Sequence, residues 1–254
     1  MKRHIDSARV DAVGIVVPVH NEEHLLPHAL QAISKATARL PRRLQCRTAV
    51  VLDSCTDASL DIASQWAKDE GRTTIVSCDA VNVGVSRRLG CEALLQAWDH
   101  VDPNAIWLAT TDADSQVPAD WLVAQLQARA EGADMWTGRV EVADWSTHRR
   151  STSVRWIDKY RQEFAPIHGA NMGLTARAYL EAGGFQAMAT GEDRALHQSA
   201  RNRGARVHHD QLVKVVTSAR RTGRAPLGFA HVLASVEAAE SPDNAPTAGL
   251  VNAE

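Results

Sequence analysis

No stretch of this chain holds the roughly 20 consecutive apolar residues that a membrane-spanning helix requires. The apolar run near the start is broken by Pro18 and His20 too early for a secretion signal. The expectation is a cytoplasmic protein with no membrane span, which would meet any lipid-linked partner at the membrane surface. Cysteines are few: Cys46, Cys55, Cys78 and Cys91 are scattered without C-x-x-C spacing, which argues against a disulfide framework and reads as reduced thiols. An excess of either charge is also missing, since 28 Lys and Arg face 30 Asp and Glu for a net charge of -2. Nothing electrostatic therefore points to nucleic acid as a partner. After the first apolar segment stands Pro18-Val19-His20-Asn21, with neither the glycine-rich phosphate loop of a nucleotidyltransferase nor the G-x-G turn of a dehydrogenase or methyltransferase.

What is present is ordinary globular composition, 44% hydrophobic and 23% charged over 254 residues, enough for one large α/β domain. Residues 13–19 form a nearly continuous β-branched run, the pattern of a strand buried on both faces of a parallel sheet. A helical pattern follows over 22–38, with Leu25, Leu26, Ala29, Leu30 and Ile33 on its apolar face. Strands are expected at 47–53, 73–77 and 105–111, with helices at about 57–70, 85–98 and 118–130. Four alternations of strand and helix predict a doubly wound, Rossmann-like, mostly parallel sheet flanked by helices.

The second half reads differently. A strand is expected at 135–142, short helices at 175–182 and 192–202, and closing strands at Val207 and 212–216. Residues 144–163 are polar, rich in arginine and tryptophan, and show no clean period. The division is a single domain over 1–239, with a nucleotide half to about 131, an acceptor and catalytic half from 132, and a flexible tail at 240–254.

In an open parallel sheet, ligands bind beyond the carboxyl ends of the strands, so the strand-end segments decide the chemistry. They are Pro18-Val19-His20-Asn21-Glu22-Glu23, Asp53-Ser54-Cys55-Thr56-Asp57, Asn82-Val83-Gly84 and Thr111-Asp112-Ala113-Asp114. Asp112 and Asp114 lie two apart, so in an extended segment both carboxylates face one ligand. Such a pair, completed by diphosphate oxygens and water, suits Mg²⁺ or Mn²⁺; a D-A-D turn in a solvated loop is the plainer alternative. Asp53 can accept hydrogen bonds from a pyrimidine N–H or a ribose hydroxyl, or serve an Asx turn, and Asp57 fits an N-cap. Glu22 and Glu23 fit first-turn helix acids. Arg87, near a helix start, can bind phosphate, whereas Arg88 fits an exposed position.

With Gly191-Glu192-Asp193 added, these segments resemble the family 2 glycosyltransferases, whose P-x-x-N-E-E, D-G-S-x-D, N-x-G, D-x-D and E-D motifs run in this order. The match spans roughly residues 13–216 and implies a GT-A fold with an acceptor-binding second half. It also implies a nucleotide diphosphate sugar donor of the UDP or GDP type and a hydroxyl acceptor, either a small molecule or a glycan or lipid-linked group. By the same resemblance Pro18, His20, Asn21 and Glu22 form the nucleoside pocket, with Asp53, Asn82, Arg87, Asp112 and Ala113 completing the donor site. Asp114 is the direct metal ligand, and Asp112 contacts the ribose or metal-bound water. Leu52 departs from the family's usual acidic doublet. His168-Gly169-Ala170-Asn171 resembles the acceptor segment, with Gly169, Asn171 and Glu192 at the acceptor.

Attack by a hydroxyl on an anomeric carbon needs a positioned base, and the resemblance gives that role to Asp193, which implies inversion. An acid capping the helix at 192–202 is the structural alternative for the same residue. His168 fits packing equally well. His208 and His209 are open between an extra metal ligand and a structural pair. Trp145, Trp156 and Tyr160 fit acceptor stacking or loop packing, and Arg220, Arg221 and Arg224 fit a phosphate lid or a solvated tail. No Q-x-x-R-W motif follows Asp193, so transfer of one sugar per encounter is expected. A non-catalytic nucleotide-sugar-binding protein is the alternative from another class.

Overall fold

The computed structural model describes residues 9–220 except 143, 147 and 189. The expected tail at 240–254, together with Arg221 and Arg224, lies outside the described residues. Fifteen regular elements follow in order: β1 (Ala12–Val19), α1 (Leu26–Thr37), β2 (Gln45–Asp53), α2 (Ser59–Glu70), β3 (Thr73–Cys78), α3 (Val83–Ala97), β4 (Ile106–Thr110) and β5 (Ser115–Gln116). They continue with α4 (Trp121–Ala130), β6 (Met135–Val142), α5 (Arg150–Gln162), β7 (Met172–Thr175), α6 (Ala176–Glu181), α7 (Glu192–Asn202) and β8 (Val207–Thr217).

The strands make one sheet in the order β3-β2-β1-β4-β7-β6-β8-β5. The first four are mutually parallel. β7 runs antiparallel between β4 and β6, while β8 is parallel to β6. The period of two along β1 explains its unbroken apolar run. Val13, Ile15 and Val17 join a core with α1, α2 and α4, whereas Ala12 and Val16 join the opposite core with α3, α6 and α7. Gly90 lets α3 lie close on the sheet, because a Cβ there would stand 2.5 Å from a Val16 methyl. Pro18 sits in a central strand without loss because the β1–β4 ladder already ends at Val16.

Several boundaries move. α1 begins at Leu26 rather than at 22 because Pro27 takes a first-turn position, where its missing N–H costs nothing, while Glu22 to Leu25 close a turn through Leu25 N–H to the Glu22 carbonyl at 3.1 Å. The supposedly irregular segment 144–163 contains α5. Its inward stripe is only Thr152, Trp156 and Tyr160, at i, i+4 and i+8, so the arginines between them hide the period. The closing strands are one strand, β8, with a register shift opposite Thr137 to Arg139. The short β5 and β7 were not expected. The four cysteines are unpaired, as read from their spacing.

Candidate active site

The carboxyl ends of β1, β2 and β4 converge, and the loops after them are stitched together. Asn21 adopts φ 54° and its amide oxygen accepts the Thr56 N–H at 2.7 Å. Glu23 N–H donates to Asp57 at 3.0 Å, while Glu23 in turn accepts the Ala58 N–H at 3.0 Å. Glu23 thus caps the start of α2 rather than its own helix, and Asp57 shares the work through the Ser59 N–H at 3.0 Å. His20 Nδ1 donates to the Asp53 carbonyl at 2.6 Å, tying the loop after β1 to the end of β2.

Asp53 is buried and its carboxylate is at capacity. It accepts N–H groups of Ala80 and Val81 at 2.8 Å and Asn82 at 2.9 Å, and the Ser86 hydroxyl at 2.9 Å. Burial would push its carboxyl up, but the amides of Asn82 and Val81, the Ser86 hydroxyl and the Ala80 amide outweigh that and hold it below the usual range. Here the side chain organises the loop ahead of α3, including Val81 at a strained φ of 47°, instead of presenting free lone pairs to a base. Asn82 is likewise engaged, capping α3 by accepting the Val85 N–H at 3.1 Å.

Arg87 departs furthest from its expected place. Only 3% exposed, its guanidinium pairs with Asp112 at 2.5 Å and with Glu192. Asp112, Glu192 and Asp193 keep it firmly charged against the pull of burial. Two carboxylates therefore hold the group expected to grip phosphate, and it ties the D-x-D turn to the Glu192-Asp193 pair. Gly169 is the residue that makes room: a Cβ there would strike the Arg87 guanidinium.

In the turn after β4, the Ala113 side chain is buried in the first core, and its neighbours Asp112 and Asp114 meet the two guanidinium groups instead. Asp112 is the more open, with a side chain 36% exposed. Asp114 is more enclosed and is pushed up to about 6, chiefly by burial, with Arg220 opposing and Asp112 and Glu22 adding. Arg220 bridges Asp114 at 2.9 Å and Glu22 at 2.6 Å. Among the described residues, no three His, Cys, Asp or Glu side chains form a ready-made metal centre.

Beyond Arg87 from the turn after β4, Asp193 lies in the first turn of α7 and accepts the Gly169 N–H at 2.8 Å. The Gly169 carbonyl accepts the Thr110 hydroxyl. Asn171, expected at the acceptor, is fully buried and fully used: it accepts the Trp121 indole N–H at 2.8 Å and donates to the carbonyls of Arg139 at 2.7 Å and Val213 at 3.2 Å. It pins the turn before β7 to β6 and β8 and has no capacity left for a ligand. Trp156 and Tyr160 stack at 4.6 Å, with Trp145 against Trp156 at 5.5 Å, so this row is packing rather than an open platform.

The Tyr160 hydroxyl accepts the Val140 N–H at 2.9 Å and stands 2.9 Å from His168 Nε2, to which it can donate its own proton when that nitrogen is bare. Burial, above all, lowers the ring from 6.5 to about 4. Tyr160 and His168 each stand out in the sequence, but nothing in their spacing signals the bond between them. His208 and His209 belong elsewhere. They sit opposite Trp136 and Thr137, whereas the β8 residue opposite Ser115 is Thr217. Counted along β6, where His209 faces Thr137 and Thr217 faces Val142, at about 3.3 Å per residue they stand roughly 15–20 Å from the turn after β4, and His209 is bonded to Thr137 at 2.7 Å. A cavity of about 260 Å³ lined by Arg129, Asp134 and Arg206 lies at the opposite end of the sheet and shares no residue with this cluster.

Residues 14–188 match the family described as glycosyl transferase family 2. Among curated proteins, the chain is similar to undecaprenyl-phosphate 4-deoxy-4-formamido-L-arabinose transferases. The protein from Aeromonas hydrophila is 25% identical over 175 residues, covering 69% of this chain and 51% of that protein. The one from Klebsiella pneumoniae is 28% identical over 171 residues, covering 67% and 49%. The chain thus spans about half the length of these relatives. Among solved structures, S. aureus TarS 1-349 in complex with UDP superimposes with a TM-score of 0.61 at 14% identity, over 83% of this chain and 61% of that one. The mannosyltransferase PcManGT from Pyrobaculum calidifontis, in complex with GDP-Man and Mn²⁺, gives 0.59 at 20% identity, over 91% and 69%. The shared architecture is the GT-A fold. Among the described residues, no helix is long and apolar enough to cross a membrane.

Proposed function

The chain belongs to glycosyl transferase family 2, and on that footing we propose that it transfers one sugar from a nucleotide diphosphate sugar to an acceptor hydroxyl, with inversion and with the help of a divalent cation. The observation that carries this reading is Arg87. One guanidinium joins Asp112, at the donor end, to Glu192, which precedes Asp193. Donor carboxylates and candidate base are thereby held at a fixed separation across one cleft, which is the preorganisation that transfer chemistry needs.

Asp112 and Asp114 fit a divalent cation by their chemistry. Both are hard oxygen donors in one turn, and the crowding of Asp112 and Glu22 on Asp114 calls for positive charge there. A bound Mg²⁺ or Mn²⁺ would stabilise the negative charge of the departing diphosphate. The chain's own groups supply the rest. The Gly169 amide fixes one oxygen of Asp193, orienting the carboxylate to take the acceptor proton as the hydroxyl attacks the anomeric carbon from the face opposite the leaving group. The loops around Asn21 and Asp53 wall the nucleoside end.

The names of the relatives put a lipid phosphate beside a sugar, and such an acceptor here would reach the same cleft from a membrane surface. An ionised phosphate has no proton to give up, so the base separates the two acceptor classes. Turnover with UDP- and GDP-sugars, read by NMR for product configuration, tests the reading. With a hydroxyl acceptor the product should be inverted, and Asp193→Asn should lose about 10²–10⁴-fold in kcat at unchanged donor affinity. A retained configuration, or full kcat in Asp193→Asn, overturns the base assignment.

A further inference from the structure

Arg220 is assigned no part in the reading above, yet it occupies the centre of the donor carboxylates. β8 brings it there. Ser115 pairs with Thr217, their hydroxyls 3.0 Å apart, so the next three residues reach back over the turn after β4. Ala219 is buried against the third core and its carbonyl holds His148 at 2.5 Å, which anchors the chain just ahead of Arg220. The guanidinium then bridges two enclosed carboxylates from different loops. Glu22, with a side chain 6% exposed, lies at 2.6 Å, and Asp114, 13% exposed, at 2.9 Å. Arg220 itself is 28% exposed, on the open side of the pair.

We infer that Arg220 is a built-in counter-ion of the donor site: in the free protein its guanidinium holds the cation's place between Glu22 and Asp114, and on donor binding it moves to the diphosphate. The inference rests on the donor-site assignment of Asp112 and Asp114. Charge makes the exchange favourable. Two enclosed carboxylates side by side call for a neighbouring cation; Arg87 is committed to Asp112 and Glu192, and Arg220 supplies positive charge to both Glu22 and Asp114. A divalent cation arriving on Asp114 supplies that charge instead and frees the guanidinium. The diphosphate arrives with new negative charge that an adjacent fork can bind through two parallel N–H···O bonds, since carboxylate and phosphate present the same spacing of acceptors.

The exchange has a signature that a simple structural ion pair lacks, namely opposite signs for two ligands. Removing the guanidinium removes a competitor for the cation and also removes a partner for the diphosphate. The probes are Mn²⁺ alone, followed by electron spin resonance, and UDP or GDP at saturating Mn²⁺, followed by calorimetry. Arg220→Gln should bind Mn²⁺ alone several-fold more tightly and the diphosphate about tenfold more weakly, the scale of one lost charge-assisted contact. Arg220→Lys, which keeps the charge without the fork, should bind Mn²⁺ like the parent and the diphosphate with intermediate affinity. It also serves as the second variant should the glutamine form fold poorly. Both affinities moving the same way, or Mn²⁺ affinity unchanged in Arg220→Gln, overturns the role of Arg220 while leaving the donor site intact. A parent protein that binds neither Mn²⁺ nor either diphosphate overturns the donor-site reading together with the inference.

Discussion

The two walls of the cleft solve the same problem, buried polarity, by different means. On the proposed donor wall, Asp112, Asp114 and Glu22 are balanced by two guanidinium groups, Arg87 and Arg220, and Arg87 also reaches Glu192 on the other wall. On the acceptor wall, Asn171, Tyr160 and His168 are satisfied by neutral hydrogen bonds. A charge-balanced wall must rearrange whenever an ionic ligand enters, because each carboxylate freed or engaged changes the balance of its neighbours. A neutral network is indifferent to such changes and keeps its geometry. On the proposed reading, the acceptor wall can therefore hold Asp193 still while ions exchange at the donor wall.

The sharpest way to break this contrast is at Arg87, the link between the walls. Arg87→Met leaves Glu192 buried without its partner, and breaking a buried pair from one side costs about 3–5 kcal/mol. Urea unfolding should show that loss, and the double variant Arg87→Met/Glu192→Gln should recover a good part of it, because the stranded charge is gone. A stability loss below about 1 kcal/mol in the single variant would mean that the pair behaves like a surface contact. The guanidinium would then not be the brace between donor and acceptor walls.

A smaller effect is expected at Asn171, on the neutral wall. Asn171→Ala strands the Trp121 indole N–H and two backbone carbonyls in the interior, a loss of about 1–3 kcal/mol. In calorimetric and kinetic measurements the penalty should appear in unfolding and in kcat through the displaced turn at Gly169, with the acceptor KM little changed. A rise in acceptor KM at full stability would return Asn171 to the ligand-binding role that its sequence position implies.

That reversal shows where sequence reading reaches and where it stops. β1 is legible because burial on both faces leaves an unbroken apolar run, and α7 is legible because Gly191 and Gly204 bracket it. α5 is hidden because three inward residues are all that the small third core requires, leaving the other positions free to be arginine. The strand-end acids do gather at one end of the sheet, since alternation of strand and helix sends every such loop to that end. Their partners were not legible. Arg87 meets Glu192 and Asp53 meets the amides of residues 80 to 82 only through the fold, and a carboxylate's remaining capacity depends on those distant donors. Spacing shows where a functional group stands, whereas competition among neighbours decides whether it is free.

The finest probe of the neutral wall is Tyr160→Phe, which removes a single hydroxyl from between Val140 and His168. The lost hydrogen bonds cost about 1 kcal/mol near neutral pH. The dependence on pH carries the argument. His168 is depressed from 6.5 to about 4 in the folded protein, by burial first and then by Arg194 and Arg139, with Asp193 and Asp112 opposing. The unfolded chain therefore takes up a proton that the folded one refuses. Its contribution to stability is fully present above pH 6.5 and is lost as pH falls through 6.5 toward 4. If the hydroxyl donates to Nε2, it can do so only while that nitrogen is unprotonated, and it then adds to burial in holding the ring neutral. Without it, the His168 titration followed by NMR should move part of the way back toward 6.5. The stability gap between parent and variant should also narrow as pH falls, because an acidified parent loses the same bond. His197, depressed to about 4 as well, acts alike in both proteins and cancels from the difference. A gap in urea midpoints that is the same at pH 7 and at pH 4 would show that the hydroxyl serves Val140 alone, and that His168 owes its neutrality to burial without the relay.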